Sequence, residues 1–161
     1  MKKACRTGIA LAILLLTLLT EQTKAQTGNI DTTYYGGEGV DFKCGGGLLL
    51  PDSNIIIIGK FAHVSQRLIN SIARIKQDGT NDYTFNPGSG ANDYVNAIVR
   101  QPDGKLVIGG DFTQFNGIAK NRIARLSANG AVDSTFNVGT GFNGSVYTIY
   151  LQPDGKLVFG G

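Results

Sequence analysis

Residues 101–112 read QPDGKLVIGGDF, and the pattern recurs along the chain at a spacing of 51 residues. Pro51-Asp52, Pro102-Asp103 and Pro153-Asp154 open successive copies, and the two complete copies, 51–101 and 102–152, align without a gap. Of their 51 aligned positions, 20 are identical. Chance similarity would not keep register over that length, so the chain repeats one supersecondary unit.

The residues on either side of Pro102-Asp103-Gly104 are predicted to form a β-hairpin, from Val95 to Ile108. In the turn, proline presets a negative φ, aspartate suits the next position, and glycine takes the positive φ that follows. In the first copy Ser53-Asn54 replaces Gly-Lys. That replacement weakens the turn unless Asn54 takes the left-handed conformation.

Two further strands are predicted in each copy, giving four in all. The third is Ser71–Ile75 or Arg122–Leu126, and a short fourth is Asp82–Phe85 or Asp133–Phe136. The hairpin strands contain continuous apolar runs, which predict that both sheet faces are buried. The fold class predicted is all-β, a β-propeller-like array of four-stranded antiparallel blades. A β-solenoid with two coils per repeat is the alternative.

Residues 1–25 are interpreted as a secretory signal peptide, because basic residues precede the apolar run Ile9–Leu19. The run is shorter than the ~20 apolar residues of a membrane-spanning helix, so we expect no span in the mature chain. The repeat region 26–161 comprises a partial repeat 26–50, two full repeats 51–101 and 102–152, and a truncated repeat 153–161. These about 2.7 repeats are fewer than the roughly four to eight blades of a closed propeller. We therefore expect an N-terminal fragment of a longer propeller, or self-association through open sheet edges.

The net charge of +3 lies entirely in the leader, which holds four of the 15 basic residues and one of the 12 acidic ones. The balanced remainder does not indicate nucleic acid as a partner. One cysteine, Cys44, follows the leader, so no internal disulfide is predicted. Because Val95 and Val146 occupy its position in the other copies, we expect Cys44 to be a small buried side chain.

Polar residues shared by both copies are expected to serve the repeat itself. Arg74 precedes Asp82 by eight residues, as Arg125 precedes Asp133. This recurrence predicts a repeated ion pair or turn-capping network and not a catalytic pair. The Gly-x-Gly loops at 88–90 and 139–141 are interpreted as turns between copies, because no helix pattern follows them to bind a phosphate.

No metal or cofactor site is predicted. The Asp-Gly turns lack the ligand spacing of a calcium loop, and the single histidine, His63, has no cysteine nearby for a zinc site. The loop 63–68 and its counterpart 114–119 differ between the copies and are the predicted ligand-facing surface. His63 and Arg67 are the candidates in the first loop; Phe115 and Asn116, both expected to be exposed, are the candidates in the second.

Three segments, QPDGKLVIGGDF (101–112), NRIARL (121–126) and DSTFN (133–137), together resemble the delta-60 repeat family. The resemblance covers essentially all of 27–161 and implies a β-propeller-like repeat of large secreted or surface proteins, chiefly bacterial, without assigned catalysis. We therefore expect a secreted or cell-surface scaffold that binds a protein or glycan partner. The alternative is the propeller portion of a secreted enzyme, a lyase or hydrolase, whose catalytic residues lie outside this chain.

Overall fold

The computed structural model describes residues 43–64 and 67–161, with Arg67 described by its backbone alone. These residues lie within the unit Tyr35–Gly161. The leader 1–25 and residues 26–42 of the partial repeat lie outside the described residues. The regular structure of the described part is all β. Within it, no helix has the length and apolarity needed to cross a membrane.

The described strands pair only in antiparallel fashion. The first sheet contains β1 (Lys43–Leu49), β2 (Ile55–Lys60) and β5 (Ile72–Ile75). Two-residue strands form a small hairpin beside it, β3 (His63–Val64) with β4 (Arg67–Leu68). A second sheet repeats this arrangement: β6 (Val95–Arg100), which ends the first copy, pairs with β7 (Leu106–Gly110), which pairs with β10 (Ile123–Leu126). The second copy also forms a small hairpin, β8 (Gln114–Phe115) with β9 (Ile118–Ala119). A last pair comprises β11 (Thr148–Leu151) and β12 (Leu157–Gly160).

The fourth strand expected in each copy is reduced to a single bridge. Asn81 bridges Ile75, and Val132 bridges Leu126. The residues after each bridge form a turn, because the side chain of Asp82 accepts the backbone N–H of Thr84 at 3.0 Å and that of Asp133 accepts the N–H of Thr135 at 3.0 Å. Donors bonded to a side chain within the turn are withdrawn from a strand ladder. The first and second sheets therefore have three strands each and not four.

The middle sheet is buried on both faces, as its apolar runs predict. On one face Leu106 and Ile108 pack in a cluster with Ile56 of the first sheet. On the other, Val107 packs in a second cluster with Ile149 of the last strand pair. Every residue of β7 is buried. Successive sheets thus stack face to face, and the antiparallel pairing within each sheet favours propeller blades over a solenoid.

Cys44 is exposed, so the expected burial of this thiol is wrong. Its counterparts are buried because each packs on the preceding sheet: Val95 lies in the cluster shared with the first sheet. Val146 approaches β7 so closely that a Cβ placed on Gly109 would lie 2.5 Å from its Cγ1. No described sheet precedes β1 to cover Cys44 in the same way.

The first hairpin turn adopts the left-handed conformation at Ser53 (φ 65°) and not at Asn54. Ser53 thereby takes the place of Gly104 (φ 85°) and Gly155 (φ 84°) in the later copies. Asn54 instead donates its backbone N–H to Asp52 Oδ1 at 3.1 Å and its side-chain amide to Asp52 Oδ2 at 2.9 Å. Asp52 therefore stabilises the turn through its hydrogen bonds, and Ser53 adopts its unfavourable positive φ.

Substitutions at the positive-φ position of this turn are expected to change the free energy of unfolding in opposite directions in the two copies. Gly104→Val should lower the free energy of unfolding by about 1 kcal/mol or more, because a β-branched residue resists positive φ. A Cβ there would have ordinary contacts, 3.5 Å from Arg100 Nη2, so the cost is conformational. Ser53→Gly should raise it by about 0.5 kcal/mol, since relief of strain outweighs the added entropy of the unfolded chain. Urea titration of both variants checks the signs; equal midpoints would contradict the turn assignment.

Candidate functional site

The repeated arginine–aspartate pair forms in both full copies. Arg74 Nε donates to Asp82 Oδ2 at 2.8 Å, and Arg125 Nε donates to Asp133 Oδ2 at 2.9 Å. The other carboxylate oxygen of Asp82 accepts the hydroxyl of Thr84 at 2.7 Å. In both copies the aspartate is buried. The pair therefore joins the third strand to the turn that follows it.

Each arginine of these pairs also contacts a ring of its own copy. The guanidinium carbon of Arg74 lies 5.4 Å from the ring centre of Phe85, and that of Arg125 lies 4.6 Å from Phe136. Arg74 Nη1 also donates to the backbone oxygen of Ala128 in the next copy, at 3.2 Å. Guanidinium, carboxylate and ring thus satisfy one another. The arginine, the aspartate and the phenylalanine of each copy therefore serve the fold.

The pKa values of both aspartates lie below the usual value. Burial raises the pKa of Asp82, but hydrogen bonds from Thr84 and the charge of Arg74 outweigh it and lower that pKa. For Asp133, hydrogen bonds from Thr135 and Lys105 hold the pKa well below its ordinary range. Lys105 Nζ lies 3.1 Å from Asp133 Oδ2. Both carboxylates are therefore charged at neutral pH.

Acid is expected to destabilise the fold through these two carboxylates. A pKa that is lower in the folded than in the unfolded chain contributes stability that is present above the unfolded value, about 3.9, and is lost as the pH falls towards the folded value. The denaturant midpoint of the wild type should therefore fall steeply below about pH 4. The double variant Asp82→Asn, Asp133→Asn should start lower at pH 6 and show a shallower fall. Parallel pH profiles for the two proteins would rule out this role.

The structure places the four predicted ligand-facing residues on two small hairpins, β3–β4 and β8–β9. His63 is exposed on β3, and Asn116 is exposed at the tip of the β8–β9 hairpin. Only the backbone of Arg67 is described, in β4. Phe115 is fully buried, so its expected exposure is wrong. Its ring meets Phe112 edge-on, with centroids 6.3 Å apart at an interplanar angle of 69°.

The orientation of Phe115 follows from the hairpin turn that sequence reasoning overlooked. Asn116 (φ 50°) and Gly117 (φ 73°) form a two-residue turn with two positive φ angles, the geometry that an Asn-Gly pair favours. Asn116 also accepts the backbone N–H of Ser89 at 3.1 Å, and its own N–H donates to Gly90 O at 2.7 Å. The hairpin is thereby fastened to the Gly-x-Gly loop. The Asn-Gly dipeptide was the signal that could have revealed it.

The Gly-x-Gly loops use their backbone donors internally. Gly88 N–H donates to Asn86 Oδ1 at 3.1 Å, and Gly139 N–H donates to Asn137 Oδ1 at 2.9 Å. These donors are therefore unavailable as a phosphate cradle. Residues 43–64 and 67–161 contain no group of three or more His, Cys, Asp or Glu side chains placed to hold a metal ion.

A cleft of about 250 Å³ lies within the first copy, between the end of the first sheet and the segment 91–93 that leads into β6. Lys60 and Asp93 form an ion pair at this cleft, with Lys60 Nζ 2.9 Å from Asp93 Oδ1 and both side chains partly exposed. Phe61, Ala62 and Ala91 supply its apolar wall. Sequence reasoning missed this cleft, because none of these residues belongs to a recognised motif. The available signal was the contrast between copies, in which Asp111 and Gly144 replace the charged pair.

Two segments of the chain match a known family model. No curated protein and no solved structure matches the chain at a significant level. Residues 50–85 and 101–136 each match the model of a β-propeller domain of unknown function, DUF5122. The two matches are displaced by the length of one repeat. Each contains two of the three strands of one main sheet, β2 with β5 or β7 with β10, together with the arginine–aspartate pair. The described chain is therefore all β, and these two segments are similar to a β-propeller repeat.

Proposed function

We propose that this protein is a secreted or cell-surface scaffold of the delta-60 type, which binds a protein or glycan partner and performs no catalysis. The leader 1–25 supplies the route to the surface. The repeats supply a rigid frame on which neighbouring copies present equivalent loops side by side.

The observation that carries this proposal is the division of labour between shared and differing residues. The arginines and aspartates common to both copies are bound within their own repeat, at 2.8 and 2.9 Å. The longest unbroken run of positions that differ between the copies, 62–69 against 113–120, covers the hairpins β3–β4 and β8–β9, where His63 and Asn116 are exposed. In repeat proteins the exposed variable positions are the ones free to contact a partner.

Each hairpin also exposes an aliphatic side chain. Leu68 is 64% exposed and Ile118 is 49% exposed. Apolar side chains of this size on neighbouring loops are typical of a surface that another molecule covers. Because both project from two-residue strands outside the main sheets, their replacement leaves the blade cores intact.

Binding of the labelled, secreted chain to the surface of the cells that express it tests this function. We expect saturable binding that weakens at least tenfold in the double variant Leu68→Ser, Ile118→Ser, with an unchanged melting temperature. Tyr150→Ser, an exposed strand residue on the last sheet (63%), is the matched control and should bind normally. Protease treatment of the cells would remove a protein partner and periodate a glycan partner. Absence of surface binding, or equal loss in the control, would overturn the proposal.

A further inference from the structure

The cleft lies at the junction of the first sheet and the segment before β6. It has no equivalent of the same composition at the next junction, between the second sheet and the segment before β11. Ser71 lines it, whereas Arg122 occupies the corresponding position in the second copy. Ala91 lines it, whereas Phe142 occupies the corresponding position at the next junction. Two small side chains thus stand where the next junction has two large ones. The cleft results from these two exchanges, both at positions where the copies differ.

We propose that this cleft is a binding site for one unit of a neutral saccharide, a proposal that rests on the surface-binding function above and names its ligand class. Pockets for drug-sized ligands measure roughly 300–1,000 Å³. A cleft of about 250 Å³ is smaller, and it suits a ligand of the size of a single sugar ring.

Ser71 supplies a polar group that the fold itself does not use. The residue is 3% exposed, and no hydrogen bond of its hydroxyl is found among the described residues. Its backbone is held on both sides, because its N–H donates to Phe61 O at 2.9 Å and its C=O accepts Gly59 N–H at 3.1 Å. Arg122 at the same position directs its guanidinium to the backbone oxygen of Asp111. The Ser71 hydroxyl is thus not used by the described fold, and a ligand hydroxyl in the cleft can hydrogen-bond with it.

The charged residues of the cleft favour an uncharged ligand. Lys60 and Asp93 neutralise each other, and the ammonium of Lys60 also lies 5.1 Å from the ring centre of Tyr94. The hydrogen bond from Lys60 lowers the pKa of Asp93, and the same contact raises the pKa of Lys60. Both groups therefore stay charged at neutral pH, and the site has no net charge to attract an ion. A carboxylate accepts sugar hydroxyls while an ammonium donates to them.

The apolar wall of the cleft matches the C–H face of a sugar ring. Phe61, Ala62 and Ala91 present carbon atoms, against which the C–H face of a pyranose can pack. The polar groups of the cleft are the Ser71 hydroxyl and the Lys60–Asp93 ion pair. A ligand with one apolar face and a rim of hydroxyls satisfies both parts, whereas a hydrocarbon would leave the Ser71 hydroxyl unpaired.

Isothermal titration calorimetry of the full chain tests the proposal with D-glucose, D-galactose, D-mannose and N-acetyl-D-glucosamine. We expect at least one of them to bind, and the double variant Ser71→Arg, Ala91→Phe to bind it at least tenfold more weakly. This variant places in the cleft the residue types that the next junction already holds, so it should fold. The control, Ser134→Arg with Ala131→Phe, makes the same exchanges at two exposed positions and should bind like the wild type.

Three results would overturn the saccharide site: no binding of any of the four sugars, equal affinity in the refilled variant, or binding of glycine or L-glutamate in place of sugars. Failure here is distinguishable from failure of the scaffold function. The cell-surface assay depends on Leu68 and Ile118, and it would still show binding if only the cleft assignment were wrong.

Discussion

Gly110→Ala is expected to lower the free energy of unfolding by about 3 kcal/mol or more, because this glycine lies where two backbones meet. A Cβ at Gly110 would lie far inside van der Waals contact of the backbone oxygen of Tyr94. That oxygen accepts the N–H of Asp111 at 2.9 Å, so it has little freedom to withdraw. The same residue links three segments, since its N–H donates to Arg122 O at 3.0 Å and its C=O accepts Val146 N–H at 3.2 Å. Relief of the clash must break at least one of these bonds.

Gly144→Ala is the matched control for this substitution. A Cβ there has nothing within 4 Å, and its φ is not positive. We expect a change within about 0.5 kcal/mol. Guanidinium chloride unfolding followed by circular dichroism measures both variants. If Gly110→Ala unfolded at the midpoint of the control, the close approach of β7 to the preceding strand would be absent in solution.

Phe112→Ala is expected to cost about 3–5 kcal/mol, the usual range for truncating a fully buried phenylalanine. Its ring is 0% exposed and lies in the cluster between the first and second sheets. It also loses the edge-on contact with Phe115, whose ring would then face a void. Because the cluster joins two copies, the variant should loosen their junction as well as the second copy.

Thermal unfolding of Phe112→Ala, with Tyr150→Thr as control, measures this contribution. Tyr150 is 63% exposed on β11, and its exchange for another strand-forming residue should shift stability by less than about 0.5 kcal/mol. A melting temperature for Phe112→Ala equal to that of the control would contradict the assignment of Phe112 to the core between the copies. An independent phase for the second copy would show that the copies melt separately.

The local elements were largely predictable, because short-range chemistry specifies them. The hairpin β6–β7 follows from β-branched residues on either side of a Pro-Asp-Gly turn, and it forms with its turn glycine at φ 85°. The third strand was predicted to within one residue of its observed start at Ile123, because Arg122 takes φ 67° and thereby lies outside the strand. The prediction of a fourth strand was wrong, because only a single bridge forms there in each copy. An aspartate carboxylate that accepts the backbone N–H two residues ahead competes with a strand ladder, and the hydrophobic pattern does not report this hydrogen bond.

The candidate sites divide in the same way. Recurrence at a spacing of eight residues indicated the pairing of Arg74 with Asp82, which the structure forms at 2.8 Å. The burial of Phe115 could not be predicted from the loop sequence alone. The two-residue turn at Asn116-Gly117 orients that side chain inward against Phe112. The cleft was missed because its origin is the absence of large side chains at Ser71 and Ala91. A void has no motif of its own.

The sequence by itself determined the unit, its length of 51 residues, the hairpin with its Pro-Asp-Gly turn and the apolar runs that require burial on both faces. These features are local or periodic, and residues near one another in the chain decide them. Only the tertiary structure decided what packs between the sheets: Val95 and Val146 are buried whereas Cys44 is exposed, and a cleft forms beside Lys60 and Asp93. The physical reason is that burial and voids depend on which surface packs opposite a residue, and that surface comes from residues distant in the chain.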